Sequence, residues 1–127
     1  MTPQEKIKKE ILLIAIQQKD ISFNGEITSE NLESLYQQLI DDDLHWDYEN
    51  EMRHGEIETN LPSQFSRHYE AKEVARKMSD GSWIGWTYWY GGGKFGEPEA
   101  IDWMSEAYDL SCKEEEKVII VRTFEKK

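Results

Sequence analysis

His45, Asp47, Glu49 and Glu51 alternate along "LHWDYENEM" in the pattern that an extended strand places on one face. An imidazole and three carboxylates on a common face are the materials of an acid–base pair or a hard-cation site. The spacing argues against the cation site. Alternate strand residues stand about 6.7 Å apart, too wide to chelate one ion without help from another strand. A two-residue turn at His54-Gly55 would supply that strand, setting Met52 opposite Ile57, Glu51 opposite Glu58 and Arg53 opposite Glu56. Glu51 and Glu58 would then be the one carboxylate pair able to share a cation. Like charges directly opposite cost stability, and only Arg53 is at hand to relieve them. The expectation is an acidic face with no resident metal. Its candidate partner-binding residues are Asp47, Glu49, Glu51, Glu56 and Glu58.

A second constellation lies in "WIGWTYWYGGGKFGEP", where five aromatic residues fall between Trp83 and Tyr90. Asp80-Gly81 before this run is a hairpin signal, so residues 69–78 and 83–90 are expected to pair, with Ser79 opposite Ser82. Residues 67–78 also suit a helix, through Ala71, Val74, Ala75 and Met78. In the strand register Ala75 lies beside Trp86 and Ala71 beside Tyr90, a face with room for large rings. The other face gathers Trp83, Trp89, Lys72 and Arg76. Trp and Arg are favoured at interface hot spots, so these four form a candidate aromatic and cationic patch. The competing reading is that helices or loops cover the tryptophans while the bases snorkel. The glycines do not make a phosphate loop, because Lys94 is followed by Phe95 rather than Ser or Thr. They read instead as a wide turn. No nucleophile motif surrounds any serine, and Cys112 reads as a small buried hydrophobe in a strand. No catalytic residue and no cofactor is assigned.

Positioning these groups requires a small set of elements. "TPQEKIKKEILLIAIQQKD" opens a helix with Thr2 as N-cap, Pro3 at the first helical position and Glu5 completing a capping box. Asn24-Gly25 marks a turn. "TSENLESLYQQLIDDD" is a second helix, capped by Thr28 or Ser29, with Leu32, Leu35, Tyr36, Leu39 and Ile40 on one face. A short helix is expected from Pro98, and "YDLSC-KEEE-KVIIVRTF" as a closing hairpin. The fold class is α+β, two N-terminal helices packed on a mostly antiparallel sheet, in a single domain over residues 1–127.

The bulk numbers limit the function classes. With 127 residues and 12% aromatic content, the chain can bury one core despite 38% hydrophobic residues. The longest apolar run, Ile11 to Ile16, is too short to span a bilayer. No signal-peptide pattern is present, and one cysteine makes no internal disulfide, which fits the reducing cytoplasm. Net charge is −11, and residues 28–60 hold ten acids against Arg53 alone, while residues 61–95 hold three acids and five bases. Phosphate binding needs clustered Lys and Arg, so direct nucleic-acid contact is not expected. A protein partner with a basic surface is.

The block "SRHYEAKEVARKMSDGSWIGWTYWYGGGKFGEPEAIDWM", with "DLHWDYENEMRHGEIET" before it, resembles a group of small acidic uncharacterised proteins encoded by bacteriophages and prophages. The most distinctive part is W-x-G-W-T-Y-W-Y-G-G-G-K-x-G-E-P-E. The resemblance carries over no catalytic residues. It implies a genomic setting in which small accessory proteins bind and divert host machinery, an inhibitor imitating nucleic-acid charge among them. The expected function is a non-enzymatic accessory protein in the host cytoplasm, binding through its acidic surface and exposed aromatics. The alternative is a ligand-binding module holding a sugar or nucleotide base on a Trp-rich sheet face and Gly-rich loop.

Overall fold

The computed structural model describes residues 1–127 as three helices and a four-stranded antiparallel sheet, an α+β arrangement. Helix α1 spans Pro3–Gln17, α2 Leu32–Asp41 and α3 His45–Met52. The strands are β1 (Ile57–Glu58), β2 (Glu70–Lys77), β3 (Trp83–Tyr90) and β4 (Tyr108–Leu110), in sheet order β1-β2-β3-β4. A 3-10 turn at Pro98–Ala100 stands where the short helix was expected.

The start of α1 forms as its sequence demands: Thr2 Oγ1 accepts from the Glu5 amide at 3.2 Å, and Glu5 accepts from the Thr2 amide at 2.9 Å. Ile7, Ile11, Leu12 and Ala15 on its inner face are fully buried. Helix α2 is amphipathic as expected, burying Leu32, Leu35, Tyr36 and Leu39. It begins after Asn31, not at Thr28 or Ser29, and leaves Ile40 exposed. Helix α1 packs on β3 and β4, and its partners α2 and α3 complete a layer over one side of the sheet. Val74, Ile84 and Trp86 close the core from that side, and Trp103 lays its ring 5.0 Å from Trp86.

Three expectations need correction. Residues 45–52 are a helix, not a strand, and no His54-Gly55 hairpin pairs them with β1. The physical reason is that Leu44, Tyr48 and Met52 stand four apart, which serves a helix face as well as a strand face. Strand β1 pairs with β2 instead, Ile57 opposite Ala75 and Glu58 opposite Val74. The second correction is one of register. Strands β2 and β3 do pair around Asp80-Gly81, but Val74 faces Trp86 and Lys77 faces Trp83. The loop holds three residues, Ser79 to Gly81, because the Met78 amide bonds the Ser82 carbonyl at 2.8 Å. Asp80 braces it by accepting from the Ser82 amide and hydroxyl, which holds its carboxyl below the usual range. Third, the closing hairpin does not form: β4 stands at the sheet edge, residues 111–127 carry no regular structure, and Cys112 is exposed.

Candidate functional site

The helical state of residues 45–52 redistributes the acidic residues. At about 100° per residue, Asp47 and Glu51 stand one turn apart on the exposed side of α3. Glu49 turns toward α2, where it accepts a hydrogen bond from the Tyr36 hydroxyl at 2.6 Å. Burial and this carboxylate together push the Tyr36 phenol far above its ordinary range. Glu56 and Glu58 belong to the other end of the chain segment, at the β1 edge, where Glu56 accepts from the Lys77 amide at 3.1 Å. The five acids therefore occupy three places, and the single stripe expected from the strand does not exist.

What the structure assembles is a negative corner built by α3 and the turn that precedes it. Asp41, Asp42 and Asp43 lead out of α2, with Asp43 at φ 57° turning the chain into α3. Asp20, from the end of α1, meets Asp47, Asn50 and Glu51 around a cleft of about 480 Å³. The Tyr48 hydroxyl hydrogen-bonds Asp20 at its wall and lies 3.0 Å from Gln18 Oε1. Burial, then the Asp20 carboxylate, push this phenol up to about 12. The ion pairs of the chain are Lys6–Asp109, Lys8–Glu33 and Lys113–Glu115, and none of them involves a carboxylate of the corner. Trp46 projects from the same helix with 50% of its surface exposed, its ring 4.9 Å from that of His45. A strand would have set Trp46 on the face opposite the acids, with Leu44, Tyr48 and Met52. The signal for the helix was Asn50, a polar residue where a strand of that register needed an apolar one.

The expected aromatic patch is divided by the register. A one-residue slip sends every side chain of a strand to the other face, so Lys72 and Arg76 lie on the helix-covered side of the sheet. Trp83 and Trp89, both half-buried, lie on the far side. The cations instead meet tyrosines. Arg53 lies 4.9 Å over the Tyr88 ring and Lys72 5.6 Å from it, and Tyr88 stacks on Tyr90 at 5.5 Å and 17°. Arg53 also donates to the Trp89 carbonyl at 2.9 Å and is tied by its own carbonyl to the Trp86 indole N–H, so it belongs to the framework. Arg76 lines a cleft under α3 with Glu51 and His54. Gly91 to Gly93 all have positive φ and turn the chain away from β3.

The far side of the sheet holds a group that the sequence did not announce. Glu73 is buried, and the hydroxyls of Ser63, Thr87 and Tyr108 donate to its carboxylate at 2.9, 2.9 and 2.8 Å. Tyr108 reaches it by lying across Gly85. Burial, then Glu73, raise the Tyr108 phenol well beyond its ordinary value. Gly85 and Thr87 among the tryptophans were the available signal: a small residue and a donor amid rings leave a place for a polar crossing. No three His, Cys, Asp or Glu side chains converge as a metal site would require. No helix is long and apolar enough to cross a membrane. Comparison with known proteins found no matching family model, no similar curated protein and no similar solved structure.

Proposed function

We propose that the protein is a non-enzymatic binding protein, of the accessory kind that phage genomes encode, and that it docks a basic protein surface on the corner formed by α3 and the preceding turn. The observation that carries this reading is Trp46, half exposed on a helix whose outward carboxylates, Asp47 and Glu51, have no cationic partner. An aromatic anchor inside a field of one sign combines the two parts of a recognition surface. The ring supplies desolvated contact area, while the charges steer encounter and reject acidic partners. Helical rows of carboxylates present negative charge much as a phosphate backbone does, so a nucleic-acid-binding protein of the host cytoplasm is the partner class that fits.

The second reading, a module for a sugar or a nucleotide base, rests on Tyr88 and Tyr90 rather than on Trp83 and Trp89. Their stacked rings beside Lys72 offer an aromatic surface with a positive rim. Salt separates the two readings, since charge-led binding weakens steeply with ionic strength and stacking responds less.

The experiment is affinity capture from a bacterial lysate with three baits: the natural chain, Asp47→Asn/Glu51→Gln, and Trp46→Ala. All three are expected to fold, because the altered side chains point outward. Retention of a basic partner is expected to fall at least tenfold in each variant, a loss of about 1.4 kcal/mol. Undiminished retention by the charge variant and by the Trp46 variant would remove the corner as the binding surface.

A further inference from the structure

Arg76 is a half-buried arginine that the protein leaves without a counterpart. Its Nε is buried with no acceptor, and the side chain takes part in none of the chain's ion pairs. His45 Nδ1 and Arg53 Nε also lack a partner, but both of those side chains are anchored in other ways. The His45 ring rests against Trp46, and Arg53 donates to the Trp89 carbonyl while lying over Tyr88. Nothing comparable holds Arg76. A guanidinium keeps its charge at every ordinary pH, and its planar fork of donors matches a carboxylate at two points.

Its surroundings are those of a small-ligand site. Arg76 of β2 lines a cleft of about 330 Å³ whose other walls come from α1, α3 and the residues just after α3. Small-molecule pockets span roughly 300–1,000 Å³, so this one suits a small occupant. Ile11 and Ile14 of α1 and Met52 of α3 supply apolar surface. His54 stands on the side toward Tyr88, the two rings 5.0 Å apart. Glu51 is the one carboxylate in the lining, and it is not paired with Arg76. Two opposite charges that share a cleft without closing on each other offer separate places for an anion and for a cation.

The neighbouring charges select the ligand further. The cleft shares Tyr48 and Glu51 with the acidic cleft of Asp20 and Asp47. A bare anion bound at Arg76 would stand near carboxylates that repel it. A molecule that carries an amine as well turns the same carboxylates into an attraction. The Tyr48 hydroxyl is already engaged by Asp20 and Gln18, which leaves Glu51 as the acceptor for that amine.

We propose that this cleft binds a small zwitterion with an apolar body, an α-amino acid of about the size of leucine. The carboxylate pairs with the Arg76 guanidinium, the amine with Glu51, and the side chain lies against Ile11, Ile14 and Met52. These contacts come from β2, α3 and α1, so a bound molecule ties the three elements together. The site does not rest on protein docking at the α3 corner, because Trp46 and Asp47 take no part in it.

Calorimetric titration of the full chain with three probes tests this: L-leucine, 4-methylpentanoate, which lacks the amine, and 3-methylbutylamine, which lacks the carboxylate. Leucine is expected to bind saturably at one site, and each analogue at least tenfold more weakly. Arg76→Gln is expected to weaken leucine at least tenfold and to leave the melting temperature of the ligand-free chain unchanged, since no partner in the protein is lost. Where Arg76→Gln does not fold, Glu51→Gln on the exposed side of α3 serves instead, weakening leucine at least tenfold and 4-methylpentanoate not at all. Trp46→Ala is expected to bind leucine as the natural chain does, whatever becomes of protein capture. The absence of saturable leucine binding overturns the proposal. So does an analogue that binds as tightly as leucine, or leucine binding that survives the loss of Arg76 or of Glu51.

Discussion

Gly81 and Gly85 show two separate reasons for a residue to lack a side chain, and they differ in what a methyl group would cost. Gly81 has φ 89° with nothing near the site of a Cβ, so an alanine there meets only the unfavourable backbone conformation. Gly85 lies on the sheet where Tyr108 crosses toward Glu73. A Cβ there would stand 2.6 Å from both Tyr108 Cε2 and Leu110 Cδ1. Gly81→Ala is expected to cost about 1 kcal/mol, and Gly85→Ala about 3 kcal/mol, because overpacking also strips Glu73 of its phenolic donor. Urea denaturation of the two variants checks the order, and equal costs would mean that Tyr108 moves aside freely. Three phenols make a second prediction at this scale. Tyr36, Tyr48 and Tyr108 all have raised pKa values in the fold, Tyr48 to about 12, so the folded state prefers them neutral. Their contribution is fully present below the ordinary phenol value near 10 and is lost as pH rises through the raised values. Thermal stability is expected to fall steeply above pH about 10, with at least three of the six tyrosines ionising only as the protein unfolds. Absorbance titration of tyrosinate checks this. Ionisation of all six before any loss of helical signal would contradict it.

At the scale of elements, sequence reading succeeded where one period alone fitted and failed where two fitted equally. Helix α1 was legible because the Thr2–Glu5 box, Pro3 and the apolar spacing agree. Helix α3 was not, because Leu44, Tyr48 and Met52 satisfy spacings of two and of four at once. Trp46 and Asn50 alone break the tie, and a tryptophan weighs heavily toward an inward assignment. The β2–β3 hairpin was legible as an object from Asp80-Gly81, but a three-residue loop instead of two moved Lys72 and Arg76 across the sheet. The acidic corner was thus readable as a concentration of charge and unreadable as a surface. Its shape depends on α3 being pinned to α2, and the Tyr36–Glu49 hydrogen bond is one pin. A double-mutant cycle with Tyr36→Phe and Glu49→Gln is expected to give a coupling of about 1–3 kcal/mol. Additive single effects would show that apolar packing alone sets the angle between the two helices.

Over the whole molecule, 26 acids face 15 bases, with three ion pairs among them. The balance of charge therefore opposes compactness. Between about 0.01 M and about 1 M salt the screening length falls from about 30 Å to about 3 Å, so added sodium chloride is expected to raise the melting temperature. A melting temperature that falls with salt would mean that local attractions outweigh the general repulsion. The α+β class was legible at this scale, since it needs only the change from helical to extended periodicity along the chain. The loose placement of residues 111–127 was not, because "KVIIVRTF" has every local property of a strand and lacks only a neighbour.

The connection of Glu10 on α1 to Ser79 in the hairpin loop, through the Ser79 amide and hydroxyl at 3.1 and 2.8 Å, spans 69 residues of chain. The β2–β3 hairpin, by contrast, closes over a loop of three. Time therefore enters the architecture: the hairpin can assemble soon after it is made, while α1, made well before the sheet, must wait for β3 and β4 to cover Ile7, Ile11 and Leu12. For most of its synthesis the nascent chain carries an uncovered apolar helix. The lysines at positions 6, 8 and 9 put charge on that same helix before its sheet is made.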